Sequence, residues 1–235
     1  LVILPEDDPH LVVDAMLETG YDGEFCVSPV FDPGFIAGLM EAGFLVMSAK
    51  FGGPEDGDEG DGSAGSEDEA YFLPLPKLHL VRSALFFDNL HVKKSARRLL
   101  GRYELRADSD FDLIVDRCLE VHGEEWLTPP LVAAIREIRR GGLRGAYPTS
   151  FALYRDGRLV AGEFGVKVGR VYTSYSGYYD ESGCGTVQLI LTTRYLKENG
   201  FAFFDLGMPL DYKNELGAVD ISPEEFVRLF RMAQR

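Results

Sequence analysis

The chain has 235 residues, 46% of them apolar, and a formal net charge of −14. That apolar content is enough for a full core, no run of about 18 apolar residues offers a membrane span, and the three scattered cysteines, Cys26, Cys118 and Cys184, do not suit a disulfide framework and point to a reducing, cytoplasmic compartment. The acidic balance argues against a nucleic-acid partner, but eight of the acids fall in residues 55–69, and without them the charge is −6.

In chain order, residues 10–19 read as a short helix closed by Gly20. Asp32-Pro33 caps and starts a second helix, with Phe35, Ile36, Leu39 and Met40 on one face and Gly43 at its end. Residues 44–47 read as a strand. Residues 52–69, rich in Gly, Ser and acids, read as a disordered loop. Residues 71–80 form a strand interrupted by Pro74 and Pro76, which places it at a sheet edge. Lys77, Arg82, Lys93, Lys94, Arg97, Arg98, Arg102 and Arg106 follow, with residues 95–100 as a short basic helix. Residues 111–121 are helical. Thr128-Pro129-Pro130 opens another helix that ends at Gly141-Gly142 and carries Arg136, Arg139 and Arg140, with Arg144 just beyond.

Residues 150–154 and 158–164 form a hairpin around Asp156-Gly157. Residues 170–175 are the next strand. The Gly-rich turn at 180–185 opens a helix with Val187, Ile190, Leu191 and Leu196 at helical spacing, and Asn199-Gly200 closes it. Residues 201–206 form a short buried strand ending in an acid, and Ser222-Pro223-Glu224-Glu225 caps a last helix. This order suits a mixed-sheet α/β fold. It divides into a small N-terminal domain, residues 1–80, and a larger one, residues 81–235.

Several residues could carry chemistry. The turn with Gly183 and Gly185 at a helix start presents backbone N–H groups and a positive dipole end to a phosphate or a carbonyl oxygen. Cys184 at that start invites a lowered thiol pKa. Asp205 sits at the C-terminal end of a strand, a common place for functional groups and equally for a cap. Trp126, the one tryptophan, is a core anchor or a stacking surface. The four histidines show no metal spacing, so no metal site is expected.

From Trp126 to Phe226 the sequence resembles, without gaps, the leucyl/phenylalanyl-tRNA–protein transferases. The resemblance is carried by Leu159-Val160-Ala161-Gly162-Glu163-Phe164-Gly165-Val166, the turn around Ser176, the strand end at Asp205, and Leu216-Gly217-Ala218 followed by Ile221. Residues 32–45 and 79–83 match more weakly. The resemblance implies an acetyltransferase-like (GNAT-like) catalytic domain. It also implies transfer of an amino acid from charged tRNA to the N-terminus of a protein, a step of N-degron tagging. The partners are then aminoacyl-tRNA and an acceptor protein N-terminus, with no cofactor and no membrane, and a monomer is expected.

The departures are as informative. Asp205 matches an aspartate of the family's catalytic pair, but its glutamine partner is Gly207 here. A catalytic glutamate falls at Tyr175, a Ser-Lys pair at Gly185-Thr186, and a histidine at Tyr212. The catalytic candidates are therefore Asp205, Tyr175 and Ser176. Tyr175 or a backbone N–H would serve the oxyanion. Transfer remains feasible, because the aminoacyl ester is already activated and juxtaposition supplies much of the rate.

Glu163 replaces an apolar residue of the family's amino-acid pocket. A carboxylate among Tyr172, Leu189, Leu196 and Phe204 is costly to bury unpaired. A basic substrate side chain would pair it, so arginyl- or lysyl-tRNA is expected in place of leucyl or phenylalanyl. The alternative is that Glu163 faces solvent, Lys167 or Arg170. Trp126 matches a tryptophan near the tRNA 3′ adenosine. Lys93, Lys94, Arg97, Arg98, Arg136, Arg139 and Arg140 would follow the tRNA backbone. Two rival readings are an acyl-CoA N-acyltransferase, against which Asp180 counts, and a non-catalytic module binding tRNA or N-termini.

Overall fold

The computed structural model describes residues 1–52, 69–143 and 145–235. The acidic stretch expected to form a disordered loop lies, apart from its ends, outside the described residues, as does Arg144. Helix α1 (Pro9–Thr19) begins where the Asp8 side chain accepts the His10 N–H, and it ends at Gly20 in the left-handed region. In α2 (Pro33–Ala42) Asp32 accepts from the Phe35 N–H and Gly43 closes the last turn. Each helix has Pro at its start, where the missing N–H costs nothing. Seven of the ten residues of α2 are buried, as a helix apolar on nearly all sides must be.

Strands β1 (Leu45–Phe51) and β2 (Tyr71–Lys77) pair as an antiparallel ribbon. Pro74 and Pro76 fit because β2's other side uses their carbonyls, which accept the N–H groups of Ser28 and Cys26. The remaining strands are β3 (Arg82–Leu85), β4 (Glu104–Ala107), β5 (Ala146–Arg155), β6 (Arg158–Val168), β7 (Val171–Tyr179), β8 (Phe203–Asp205) and β9 (Val219–Ile221). They form a seven-stranded sheet in the order β4-β5-β6-β7-β8-β3-β9. Its pairs are antiparallel except β7 with β8, which are joined in parallel across α6 (Cys184–Glu198). The β5–β6 hairpin turns at Asp156 and Gly157, both at positive φ, as expected for that dipeptide.

Two features of this sheet place the site. First, β8 pairs with β7 only at residues 171–173, so residues 174–179 of β7 run on past the end of β8. Second, the β6–β7 register shifts between Phe164 and Gly165. Phe164 pairs with Ser176 and Gly165 with Ser174, leaving Tyr175 as the extra residue of a bulge. Gly165 is required there, since a Cβ would strike the Thr173 carbonyl.

One face of the sheet is covered by α2, α4 (Phe111–His122), α5 (Pro129–Gly141) and α8 (Pro223–Ala233). They share a core that includes Ile36, Ile114, Ile135, Phe164, Phe203 and Phe226. The other face is covered by α6, over Phe151, Tyr172, Leu196 and Phe204. Two short helices, α3 (Lys94–Arg97) and α7 (Asp211–Glu215), complete the α-helices among the described residues, beside two single 3-10 turns at Phe87–Asn89 and Leu100–Arg102. The expected division at residue 80 separates the two sheets. The main core nonetheless crosses it, from Ile3, Val13 and Ile36 to Phe203 and Phe226. No described helix is long and apolar enough to cross a membrane.

Candidate functional site

Alternation along a strand sends neighbouring side chains to opposite faces. Phe204 joins Tyr172 and Leu196 under α6, so Asp205 points the other way. There it is fully buried, and its carboxylate is saturated. Oδ1 accepts from Arg82 Nε at 2.9 Å and from the Gly207 N–H at 3.0 Å. Oδ2 accepts from Arg82 Nη2 at 2.5 Å and from Thr173 Oγ1 at 2.8 Å. Those four bonds fill the carboxylate's acceptor sites. Burial opposes the charge, but Arg82 and the surrounding hydrogen bonds outweigh it and hold the carboxyl below the usual range. Arg82 is itself 1% exposed, stacks over Phe226 at 4.0 Å and donates to the Gly43 carbonyl.

Asp205 is thus held in this structure as a buried strut with every acceptor site occupied. The same corner holds His79, which burial and Arg82 push down to about 3. Lys213 is also there, pushed down to about 8 by burial, and donates to the Leu206 and Met208 carbonyls.

The bulge puts both Tyr175 and Ser176 on the face of Phe164, beneath the helices of the main core. Tyr175 Oη accepts the Val46 N–H at 3.1 Å, and burial raises its pKa. The expected catalytic trio therefore lies on one side of the sheet. Most of the expected pocket lies on the other.

Glu163 faces the α6 side and is 4% exposed. Ser174 Oγ donates to its Oε2 at 3.1 Å, while Oε1 has no hydrogen-bond partner among the described residues. Among the described residues it forms no ion pair, so the alternative of Lys167 or Arg170 as its partner does not hold. Burial pushes its pKa up to about 7. Thr192 and Ser174 ease the charge, although the Thr192 hydroxyl makes no hydrogen bond of good geometry. Tyr172, Leu196 and Phe204 pack together nearby with Leu189 at the edge. Across the strand pair, Gly177 is exposed and presents no side chain.

Polar side chains that the sequence reading missed complete this surrounding. Gln188 Nε2 donates at 2.9 Å to the carbonyl of Phe151, the register partner of Glu163. Gln188 Oε1, Thr192 Oγ1 and Tyr172 Oη are buried without partners. The available signal was a Gln and a Thr four residues apart on the face that also carries the apolar positions of α6.

At the start of α6, Gly183 has φ +87 and no side chain caps the helix. Gly185 lies against the Tyr179 ring. Asp180 pairs with Arg117 at 2.8 Å and Glu181 with Arg155 at 2.5 Å. Cys184 is fully buried beside Tyr103, and burial raises its thiol pKa, the reverse of the sequence expectation.

Trp126 packs, partly buried, against the main core, and its carbonyl accepts from Ser48. The basic residues divide. Arg136 pairs with Asp112 and Asp116, Arg139 with Asp108, and Lys93 with Glu215. Lys94, Arg97 and Arg98 are exposed on or beside α3, with no ion pair among the described residues, and Arg140 is exposed near the end of α5. Ala96 seats α3 against Ile190 of α6, so Lys94, Arg97 and Arg98 lie on the α6 side of the molecule, while Arg140 is on α5, which covers the opposite face.

A protein-family model described as leucyl/phenylalanyl-tRNA protein transferase matches residues 84–231, from β3 into the last helix. The chain belongs to that family. It is 31% identical over 150 residues to the leucyl/phenylalanyl-tRNA–protein transferase of Pseudomonas putida (strain W619), covering 62% of this chain and 65% of that one. It is also 31% identical over 156 residues to that of Rubrobacter xylanophilus, covering 66% of this chain and 80% of the relative. The match thus spans about two thirds of the Pseudomonas relative's length. Among solved structures, one titled L-PGS from Bacillus licheniformis aligns at 14% identity over 100% of this chain and 82% of its own, with a TM-score of 0.45, too low to establish a common fold.

Proposed function

We propose that this chain transfers an aminoacyl group from tRNA to the N-terminal amine of a protein, and that the group is cationic, Arg or Lys. The observation that carries the reading is the buried, unpaired Glu163 inside the segment matched to the transferase family. A carboxyl at that depth carries its charge at a cost that Ser174 and Thr192 only partly offset, and a partner cation would offset it further.

The chemistry asks little of the protein. The amine nitrogen attacks the ester carbonyl, a C–N bond forms, the ester C–O bond breaks, and the tRNA 3′ oxygen takes up a proton. An α-amine has a pKa of about 8, so a fair fraction is neutral near pH 7.5. Holding amine and ester together then supplies much of the rate. No organic cofactor is needed, because the ester is already activated.

In this reading the GNAT-like sheet of residues 81–235 is the catalytic domain, fronted by the smaller unit of residues 1–80. The uncapped start of α6, with Gly183 and Gly185, faces the 3′ end of the tRNA. Lys94, Arg97 and Arg98, with Arg140 further off, contact the tRNA backbone. Asp205 acts by position, holding the Gly207 N–H and the start of the following loop through its ion pair with Arg82. Ser176 and Tyr175 shape the strand that carries the site. The product fits a degradation tag on protein N-termini, made by a monomer in a reducing compartment.

The test is transfer by the purified protein from a panel of aminoacyl-tRNAs to peptides with varied N-termini. Transfer of Arg or Lys is expected. Transfer of Leu or Phe alone would retain the reaction and remove the cation preference. Binding of charged tRNA without turnover with any amino acid would identify a binding module instead.

A further inference from the structure

The transferase reading leaves Arg and Lys undistinguished, and the side chains around Glu163 separate them. We propose that Glu163, Gln188 and Thr192 form a site that reads a guanidinium group, so that the aminoacyl substrate is arginyl and not lysyl. The inference rests on the transferase reading above and narrows its substrate.

The starting point is four buried polar atoms with no well-formed hydrogen bond among the described residues: Glu163 Oε1, Gln188 Oε1, Tyr172 Oη and Thr192 Oγ1, the last close enough to Glu163 to ease its charge. Buried polar atoms are nearly always satisfied in folded proteins; Thr192 and Tyr172 lie within electrostatic reach of Glu163 and Gln188 bonds its register partner, so these orphans call for an absent donor. The orientation of Gln188 is fixed. The Phe151 carbonyl can only accept, so the amide nitrogen faces it and the amide oxygen is left over. Phe151 is the register partner of Glu163, which sets that amide beside the carboxylate. Gln188 and Thr192, four residues apart on α6, share one helix face.

The orphan set is thus two fixed acceptors, one of them charged, and two hydroxyls that can accept. A guanidinium carries five N–H donors spread in a plane and is weakly hydrated. An ammonium carries three on one atom and is strongly hydrated. Spread acceptors and one negative charge in a dry site suit the first. The approach is over Gly177, which is exposed and leaves the strand bare opposite Glu163, whereas any side chain there would crowd it. With Glu163 only 4% exposed, a group that reaches it becomes desolvated, which sharpens discrimination.

The experiment measures kcat/KM for arginyl-, lysyl- and leucyl-tRNA with one acceptor peptide, for the wild-type chain and for Glu163→Gln, Gln188→Leu and Thr192→Val. It is paired with direct binding of a non-hydrolysable 3′-arginylamino-adenosine and its lysyl and leucyl counterparts. Arginyl is expected to exceed lysyl by at least about tenfold, and Glu163→Gln to lower arginyl transfer by about 100-fold. Gln188→Leu is expected to bring the Arg-to-Lys ratio close to one. Thermal melting of each variant identifies one that fails to fold, and then the other two decide. Equal or better use of lysyl, or preference for leucyl, would overturn the proposal and leave the transferase reading standing. If no tRNA supports transfer, the transferase reading fails and the probes decide this one. Selective arginyl-probe binding lost in Glu163→Gln would sustain it, and no selectivity among the probes would overturn it.

Discussion

Replacing Glu163 by Gln should stabilise the free protein at alkaline pH and leave it nearly unchanged at acidic pH. The carboxyl ordinarily titrates at 4.5 and in the folded chain is pushed up to about 7, with burial the main cause. A carboxyl held above its unfolded value stabilises the fold fully below that value. Between 4.5 and about 7 the folded state keeps a proton that the unfolded chain has released, so stability falls as pH rises, and above 7 the loss is complete. At 1.36 kcal/mol per pH unit the whole loss is about 3 kcal/mol. Gln keeps the shape, can still bond Ser174, and has no charge to bury. For a chain of this size about 3 kcal/mol corresponds to a gain of roughly 6–12 °C in melting temperature at pH 8. The assay is thermal and urea unfolding of both proteins at pH 4.5 and pH 8, read as the difference between variant and wild type so that other titrating groups cancel. A gain equal at the two pH values, or no gain at pH 8, would mean that Glu163 carries its charge at no cost, and the argument for a missing cation would fall with it.

Other outcomes test the rest of the arrangement. Asp205→Asn or Arg82→Met alone should cost about 3–5 kcal/mol, because each leaves a buried charge unpaired, and the double variant Asp205→Leu/Arg82→Met should cost less than the two single losses together, which urea titration of the four proteins would reveal. Reversing Lys94, Arg97 and Arg98 to Glu should weaken tRNA binding and make it less salt-dependent, the log–log slope falling by up to about 0.7–0.9 for each phosphate no longer neutralised, with the melting temperature held. Reversing Arg136 and Arg139 should instead lower thermal stability, since both are committed to Asp108, Asp112 and Asp116. Gly177→Leu should reduce transfer by covering the approach to Glu163, read as a fall in kcat/KM at a temperature where thermal melting shows the variant, crowded by the Gly162 carbonyl at 3.1 Å, still folded.

Much of the fold was legible because its punctuation is strong. Asp32-Pro33, Thr128-Pro129, Asp156-Gly157 and Ser222-Pro223 each name a boundary chemically, and the structure keeps all four. Strands β3, β4 and β9 were not legible, since three or four residues hold too little alternation to be distinguished from loop. Glu163 was legible as an acid in an apolar setting. The surroundings of the catalytic candidates were not legible, for two reasons that a local reading cannot reach. The bulge is a property of the β6–β7 register and redirects Tyr175, and the partner that saturates Asp205 is Arg82, 123 positions earlier in the chain. Cys184 misled because the same helix start that would favour a thiolate also buries it.

The Arg82–Asp205 pair also sets the smallest piece of the chain that can stand alone. The family match begins at residue 84, two positions after Arg82 and well after Gly43, whose carbonyl Arg82 also bonds. A fragment trimmed to residues 84–231 would retain Asp205 at the centre of the sheet with its counter-ion cut away, and would strip α2 from the face that Phe164, Phe203 and Phe226 present to it. The sequence segment recognisable by descent and the unit able to fold by itself are therefore different lengths, and the second reaches back at least through α2.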